Sequence, residues 1–122
     1  MSPCPYCSAA PEDAWVSTEF VVAIPHSSPL ASCHLVVAPR RHVAAFYDLD
    51  VQEQRMIWIA LDQLRRRISA CLSVDGFDAG FVDAPAGDEL DFHTHVHLVP
   101  RIAGQRVALP RDAEWVDLGA QP

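Results

Sequence analysis

The sequence predicts a single α+β domain of 122 residues with a mostly antiparallel sheet of five strands. One long segment with helical spacing separates short segments that are rich in β-branched and aromatic residues. Hydrophobic residues make up 50% of the chain, enough for one compact core, and we find no internal repeat or low-complexity segment. We therefore expect one domain over residues 1–122, with an N-terminal arm over 1–12 and a C-terminal tail over 102–122.

Three strands are predicted before the helix. The segment AWVSTEFVVAIP, residues 14–25, predicts a hairpin of two short strands with its turn at residues 18–19. After a loop rich in serine and proline, CHLVVAP at residues 33–39 predicts the third strand. This strand leads into the basic turn RRH at residues 40–42.

The long helix is predicted within DLDVQEQRMIWIALDQLRRRISACL, residues 48–72. Asp48 or Asp50 can cap its N-terminus, and Glu53 lies in the first turn, where an acidic side chain interacts favourably with the helix dipole. Helical spacing predicts a core-facing stripe made of Met56, Ile59, Ala60, Leu64, Ile68 and Cys71.

Two strands are predicted after the helix, FDAGFVD at residues 77–83 and FHTHVHLVP at residues 92–100. In the last strand His93, His95 and His97 occupy alternating positions, so their side chains are expected on one face. Same-face neighbours on a strand lie about 6.8 Å apart, which suits the lining of a groove better than convergence on one ion. We therefore expect the three histidines to have divided roles.

Charge and cysteine content restrict the classes of function. A formal net charge of -7 argues against a nonspecific nucleic-acid binder, because such a protein needs a basic face. The N-terminal sequence does not resemble a secretory leader, and no window reaches the roughly 18 apolar residues of a membrane span. We expect a cytoplasmic protein that binds neither nucleic acid nor a membrane. In that reducing compartment its four cysteines are not expected to form disulfides.

These residues resemble the histidine triad (HIT) superfamily of nucleotidyl hydrolases and transferases. Its signature His-φ-His-φ-His-φ-φ, with φ apolar, is matched by HTHVHLV at residues 93–99, where only Thr94 departs. SCHLVVAPRRH at residues 32–42 is similar to the family stretch Gly-His-φ-φ-φ-φ-Pro-Lys/Arg-x-His, and the likeness continues through FYDLD and from Gly76 to Arg101. The resemblance implies the HIT fold, with a five-stranded, mostly antiparallel sheet, one long helix and one short helix.

The resemblance also implies roles for the histidines. His95 would attack the α-phosphorus of a nucleotide and form a covalent nucleotidyl-histidine, which suits an imidazole whose other nitrogen is fixed as a donor. His97 would contact the phosphoryl or bridging oxygen, and His34 would help place the attacking ring and the phosphate. His26 stands where relatives commonly bind the ribose hydroxyls through Asp or Asn. The expected partner is a small nucleotide.

Cys4 and Cys7 have the Cys-x-x-Cys spacing that can bind one tetrahedral zinc ion, but two thiolates leave two coordination positions to fill. Similarity to bacterial relatives implies that His42 and His93 fill them and that Zn²⁺ is a structural cofactor. A redox pair is the alternative; it is less favoured because such pairs begin a helix after a strand. Cys33 and Cys71 are expected to pack as small apolar groups.

One departure from the family pattern affects the nucleotide pocket. Asp88 and Glu89 replace a Gly-Gln pair whose amide binds phosphate in many relatives. A carboxylate near the phosphate would weaken binding of a polyanion by about ten- to thousand-fold and would tend to raise the pKa of His95 above about 6.5. Alternatively, Glu89 protonates a leaving group or turns towards Arg101 or Arg106. The protein is therefore expected to be an enzyme, with a zinc-stabilised nucleotide-binding or sensing protein that has lost turnover as the alternative.

The resemblance further implies a two-fold homodimer, and an isolated five-stranded sheet leaves edges that need protection. Trp58 lies off the predicted core stripe of the helix. We expect its side chain to be buried by the second subunit or, alternatively, under the C-terminal tail of its own subunit.

Overall fold

The computed structural model describes residues 4–9, 11–102, 104 and 108–119. Within these residues the chain forms six strands and one α-helix, joined by loops that contain two short 3₁₀ turns, Pro11–Asp13 and Phe46–Asp48. In chain order the strands and the helix are β1 (Val16–Ser17), β2 (Val21–Pro25), β3 (Leu35–Pro39), α1 (Val51–Cys71), β4 (Val74–Val82), β5 (His95–Ile102) and β6 (Glu114–Asp117).

The strands form one sheet in the order β1-β2-β3-β5-β4-β6, and every neighbouring pair is antiparallel. The predicted α+β class and antiparallel sheet are confirmed, but the sheet of the described residues has six strands rather than five. Centrally, His97 of β5 lies opposite Val36 of β3 and Gly80 of β4.

The additional strand, β6, comes from the predicted C-terminal tail and pairs with residues 78–81 of β4. Trp115 of β6 crosses directly over Gly80, where a Cβ atom would lie 2.7 Å from the indole ring. Glycine is therefore required for this close approach. Strand β6 was not predicted, because four residues with no clear alternation give little local signal and its pairing with β4 is non-local.

Helix α1 begins at a capping box. The Asp50 side chain accepts a hydrogen bond from the Glu53 N–H (2.8 Å), and the Glu53 carboxylate accepts one from the Asp50 N–H (3.1 Å). Glu53 is buried and also forms a 2.8 Å ion pair with Arg41. This pair attaches the turn that carries His42 to the start of the helix.

The core-facing stripe of α1 differs from the prediction. Ala60, Leu64 and Ile68 are buried as expected, and Met56 is partly buried. Ile59 and Cys71 are exposed, so those two assignments were wrong, and the unpredicted Ile57 and Leu61 are buried instead. The cause is the unbroken apolar run over residues 56–61, which does not define the rotational phase of the helix.

The hydrophobic core lies between α1 and one face of the sheet. Its sheet side chains alternate along the strands, as with Val96 and Leu98 on β5 or Leu35 and Val37 on β3. Cys33 packs against this core. The intervening residues, including His95 and His97, therefore face away from the helix. No helix in the described part of the chain is long and apolar enough to cross a membrane.

Candidate active site and metal centre

The three triad histidines do not all lie in one strand. Strand β5 begins at His95, whereas His93 lies in the segment before it, and its ring contacts the N-terminal arm. Between them, Thr94 departs from the apolar signature because its buried hydroxyl donates to the Val82 carbonyl (3.0 Å) and lies 2.9 Å from the Asp83 carboxylate. The expected alternation thus ends at His95, and His93 is directed to a separate site.

The structure brings together Cys4, Cys7, His42 and His93, which we call the Cys/His cluster. Their potential ligand atoms all lie within 4.8 Å of one another. The Cys4 Sγ–His93 Nδ1 and Cys7 Sγ–His42 Nδ1 distances are 3.3 Å, and Cys7 Sγ–His93 Nδ1 is 3.4 Å. Tetrahedral zinc places sulfur and nitrogen ligands about 3.6 Å apart. The cluster is therefore compatible with one zinc ion.

His93 is oriented for coordination by its backbone partner. Its Nε2–H donates to the Pro39 carbonyl oxygen at 2.7 Å, which leaves Nδ1 as the lone pair that faces the two sulfurs. Burial lowers the pKa of His93 and favours the neutral ring that a metal needs. The carbonyl that ends β3 thus sets the tautomer of a candidate ligand.

His95 also donates to a backbone carbonyl. Its Nδ1–H points to the His93 oxygen at 3.0 Å, so Nε2 carries the free lone pair. Burial lowers the pKa of His95 and outweighs the opposite effects of the hydrogen bond to the His93 carbonyl and, smaller still, of Asp112. The predicted rise in this pKa, caused by a nearby carboxylate, is therefore wrong for the described residues. At neutral pH His95 has the protonation state of a nucleophile.

His34 and His97 form a chain of hydrogen bonds with the opposite polarity. The Leu30 N–H donates to His34 Nδ1 at 3.0 Å, so the His34 proton is on Nε2. Nε2 lies 3.0 Å from His97 Nδ1 and donates to it, which places the His97 proton on its own Nε2. Burial lowers the pKa of both rings to about 4, so both are neutral at pH 7.

His26 completes what we call the three-histidine pocket, formed by His26, His34 and His97. Its ring stacks on His34 with centroids 4.5 Å apart, and its Nδ1 accepts from the Ser28 N–H at 3.0 Å. His26 therefore also carries its proton on Nε2. The three rings are close enough to bind a cation, but each has one nitrogen accepting a hydrogen bond and the other protonated. They suit an anion such as phosphate.

Three aromatic side chains that sequence analysis did not assign to the site surround these histidines. The rings of Tyr6 and Phe92 lie 5.1 and 5.7 Å from His95, and the ring of Trp115 lies 6.2 Å from His97. Tyr6 had a sequence signal, because it lies between the two cysteines. Trp115 had none, because it reaches the site only through the unpredicted strand β6.

The acidic loop before His93 folds back on itself. The Glu89 carboxylate is exposed and accepts from the Gly87 N–H at 3.1 and 3.2 Å. The backbone N–H groups of Glu89 and Gly87 lower the pKa of this carboxyl. Arg101 instead pairs with Asp78 and Asp117. Arg106, the other expected partner of Glu89, lies outside the described residues.

Comparisons with known proteins identify relatives of this chain. The family described as the HIT domain matches residues 8–104. The Arabidopsis thaliana protein named bifunctional bis(5'-adenosyl)-triphosphatase/adenylylsulfatase is 26% identical over 94 residues, 77% of this chain and 52% of the relative. The Dictyostelium discoideum bis(5'-adenosyl)-triphosphatase is 24% identical over 89 residues, 73% and 60% of the two chains. This chain thus spans little more than half the length of these relatives.

Solved structures show the same fold. A hypothetical histidine triad nucleotide-binding protein from Sulfolobus tokodaii matches with a TM-score of 0.71 at 20% identity, covering 91% of this chain and 80% of that one. A HIT family member from Bacillus subtilis matches with a TM-score of 0.69 at 19% identity, covering 90% and 84%. The similarity covers both the sheet and the helix.

Proposed function

This chain belongs to the HIT domain family, and from that premise we propose that it is a nucleotide hydrolase or nucleotidyl transferase that forms a covalent nucleotidyl-His95 intermediate. The substrate class is a nucleoside phosphoramidate, a dinucleoside polyphosphate or a related nucleotide. Two curated relatives are named as bis(5'-adenosyl)-triphosphatases, which supports this class. The observation that carries the proposal is the His95 Nδ1–H bond to the His93 carbonyl, because it leaves Nε2 free to attack.

In the first step the Nε2 lone pair of His95 attacks the α-phosphorus, forming a nitrogen–phosphorus bond while the bond to the leaving group breaks. A nucleoside diphosphate leaves as an anion with the electron pair of the broken bond, whereas an amine leaving group takes a proton from solvent. The imidazole ring of the adduct is cationic, because it carries a proton on Nδ1 and phosphorus on Nε2. The His93 carbonyl already accepts that Nδ1–H and stabilises the charge.

In the second step water attacks the same phosphorus and the nitrogen–phosphorus bond breaks. His95 regains its lone pair, the water proton passes to solvent, and a nucleoside monophosphate is released. Attack by another acceptor instead of water would make the protein a transferase.

We propose that His26 and His97 donate hydrogen bonds to phosphate, because the Nε2 atom of each carries a proton. The Ser28 N–H fixes the His26 proton there, and the His34 side chain fixes that of His97. His34 both holds the His97 tautomer and lines the pocket. With a pKa of about 4, the His97 ring can donate to a phosphate oxygen without titrating near pH 7. Such hydrogen bonds can strengthen as charge develops in the transition state.

The test is incubation with diadenosine triphosphate and with adenosine 5'-phosphoramidate, followed by chromatography of nucleotides and rapid-quench mass spectrometry of the protein. We expect nucleoside monophosphate and a transient adenylyl adduct on wild type, with neither on His95→Asn. Turnover by His95→Asn at the wild-type rate would contradict the covalent mechanism.

The acidic loop supports the alternative of a nucleotide-binding or sensing protein without turnover. Asp88 and Glu89 stand where relatives offer an amide, and both residues are exposed. In that case wild type and His95→Asn would bind the two nucleotides equally by calorimetry, and neither would release product.

We propose that Zn²⁺ occupies the Cys/His cluster as a structural ion. Two thiolates and two imidazoles complete a tetrahedral shell without an open position for water, which is the pattern of structural rather than catalytic zinc. When bound, the ion would join the N-terminal arm to the turn after β3 and to the segment that precedes β5. The unpaired state of the four cysteines suits a cytoplasmic location, which we also propose.

We propose a homodimer formed through the exposed face of α1. Val51, Trp58 and Ile59 lie on one side of the helix with 71%, 43% and 40% of their surfaces exposed. Trp58 packs against Phe81 with ring centroids 5.4 Å apart, and it lines a groove with Leu118 from its own tail, so the tail covers it only in part. Sedimentation at micromolar concentration should give a dimer that Trp58→Glu dissociates, whereas a monomeric wild type would contradict the proposal.

A further inference from the structure

We infer that Tyr6 is a positioning residue for His95, and that the N-terminal arm thereby forms one wall of the proposed active site. The inference rests on the proposed function for the role of His95 as the nucleophile. It concerns a side chain that neither the Cys/His cluster nor the three-histidine pocket uses as a ligand or donor.

Tyr6 lies between Cys4 and Cys7, and its ring contacts histidines of two different sites. Its centroid lies 5.3 Å from that of His93, with the rings nearly edge to face at 65°. It lies 5.1 Å from that of His95, with the ring planes 31° apart. Both separations fall in the usual range for interacting aromatic rings. One side chain thus contacts both a candidate metal ligand and the candidate nucleophile.

The His95 ring needs such a contact because its ring hydrogen bond to the His93 carbonyl fixes only one edge of the imidazole. Productive attack requires Nε2 to approach phosphorus in line with the leaving group, and a small misplacement of the ring lowers the reaction rate. Phe92 and His97 also pack against His95, but they belong to the same chain segment. Tyr6 comes from the N-terminal arm and therefore supplies an independent restraint on the tilt of the ring.

The position of Tyr6 depends in turn on the Cys/His cluster. Among the described residues, the side-chain hydrogen bonds of the arm to distant parts of the chain run from Cys4 and Cys7 to His42 and His93. The Ser8 bonds close only a local turn with the Cys4 carbonyl. Loss of the cluster would therefore release Tyr6 from His95.

The test compares Tyr6→Ala, Tyr6→Leu and Tyr6→Phe with wild type, using diadenosine triphosphate as substrate and the full chain with its zinc content measured. The matched control is Tyr47→Ala, which removes a tyrosine that is 87% exposed. We expect Tyr6→Ala to lower kcat about ten-fold or more with KM within about two-fold. Tyr6→Phe should restore kcat because the contact is between rings, Tyr6→Leu should lie between the two, and Tyr47→Ala should match wild type.

A second readout does not depend on turnover. The ring protons of His95 should shift in the NMR spectrum of Tyr6→Ala, because the ring current of Tyr6 is lost, and should stay near their wild-type positions in Tyr47→Ala. Wild-type kcat in Tyr6→Ala together with unshifted His95 resonances would overturn the inference and leave the proposed function intact. Equal loss of kcat in Tyr6→Phe and Tyr6→Ala would overturn it as well, because the hydroxyl would then be the active group. Absence of both turnover and adduct in wild type would defeat the proposed function and the inference together.

Discussion

The Cys/His cluster and the three-histidine pocket lie close together but present opposite groups to their ligands. In the cluster, His93 donates to the Pro39 carbonyl, and its Nδ1 lone pair faces the two cysteine sulfurs. In the pocket, the Leu30 N–H starts a chain of hydrogen bonds that ends in a proton on His97 Nε2. A backbone carbonyl at one imidazole nitrogen leaves a lone pair at the other, whereas a backbone N–H leaves a proton there. Hydrogen bonds that start from the backbone therefore decide whether His93 and His97 each present a lone pair or a proton.

His95 lies between the two sites in sequence and shares the carbonyl type of partner with His93. By the same rule its Nε2 presents a lone pair, which the proposed role as nucleophile requires. Substituting His95→Asn removes this lone pair. We expect turnover to fall by at least about 10³-fold, the largest effect on activity, because the covalent step is lost. Steady-state kinetics on diadenosine triphosphate measures this loss of turnover. A fall of less than ten-fold would show that His95 is not the nucleophile.

Disrupting the Cys/His cluster should affect stability most. Cys4→Ser should reduce zinc from about one to well below one ion per chain and lower the free energy of unfolding by at least about 3 kcal/mol. Elemental analysis and chemical denaturation measure these changes. Cys71→Ser is the matched control, since Cys71 is exposed and outside the cluster. A zinc-free wild type with the stability of Cys4→Ser would exclude a structural metal.

Breaking the tautomer chain of the pocket should have a smaller effect on activity. His34→Ala frees His97 Nδ1 to take the proton, which would withdraw the donor from substrate, and kcat/KM should fall about 10²-fold. His34→Gln keeps an N–H able to reach His97 and should retain more activity. Equal activities of the two variants would show that His34 does not act through the His97 tautomer.

The pocket should also make stability depend on pH. The pKa of His34 and of His97 is about 4 in the folded chain, below the ordinary value near 6.5. Between these values the unfolded chain binds more protons, so the free energy of unfolding should fall as pH falls from about 6.5 towards 4. Denaturation at several pH values measures this slope. His97→Gln should reduce it, and an unchanged slope in that variant would contradict a neutral, partly buried His97.

The smallest expected effect concerns Glu89. Its carboxylate is exposed and hydrogen-bonded to its own loop, so solvent and salt should screen much of its repulsion of phosphate. Glu89→Gln should therefore strengthen diadenosine triphosphate binding by less than about ten-fold, the low end of the range expected from sequence. Calorimetry at two salt concentrations measures it. Loss of all turnover in Glu89→Gln would instead identify a catalytic or structural acid.

The sequence alone supported the features that depend on local pattern. The α+β class, the hairpin and α1 were predictable from spacing and turn chemistry, and Asp50 was one of two predicted caps. The residues that the structure groups at the two histidine sites were named by short motifs together with the family resemblance. The histidine tautomers could not be predicted, because they depend on the Pro39 carbonyl and the Leu30 N–H, which reach the rings only in the folded chain. Trp115 was missed for the same reason, since β6 forms by non-local pairing, and the phase of α1 was obscured by consecutive apolar residues.

The most direct test of the account is the protonation state of each histidine ring, measured by nitrogen-15 NMR of the zinc-loaded protein at pH 7. We predict a proton on Nδ1 and a bare Nε2 for His95, a proton on Nε2 with metal-bound Nδ1 for His93, and protons on Nε2 for His34 and His97. A His95 ring with its proton on Nε2, or cationic His34 and His97 rings at this pH, would contradict the account.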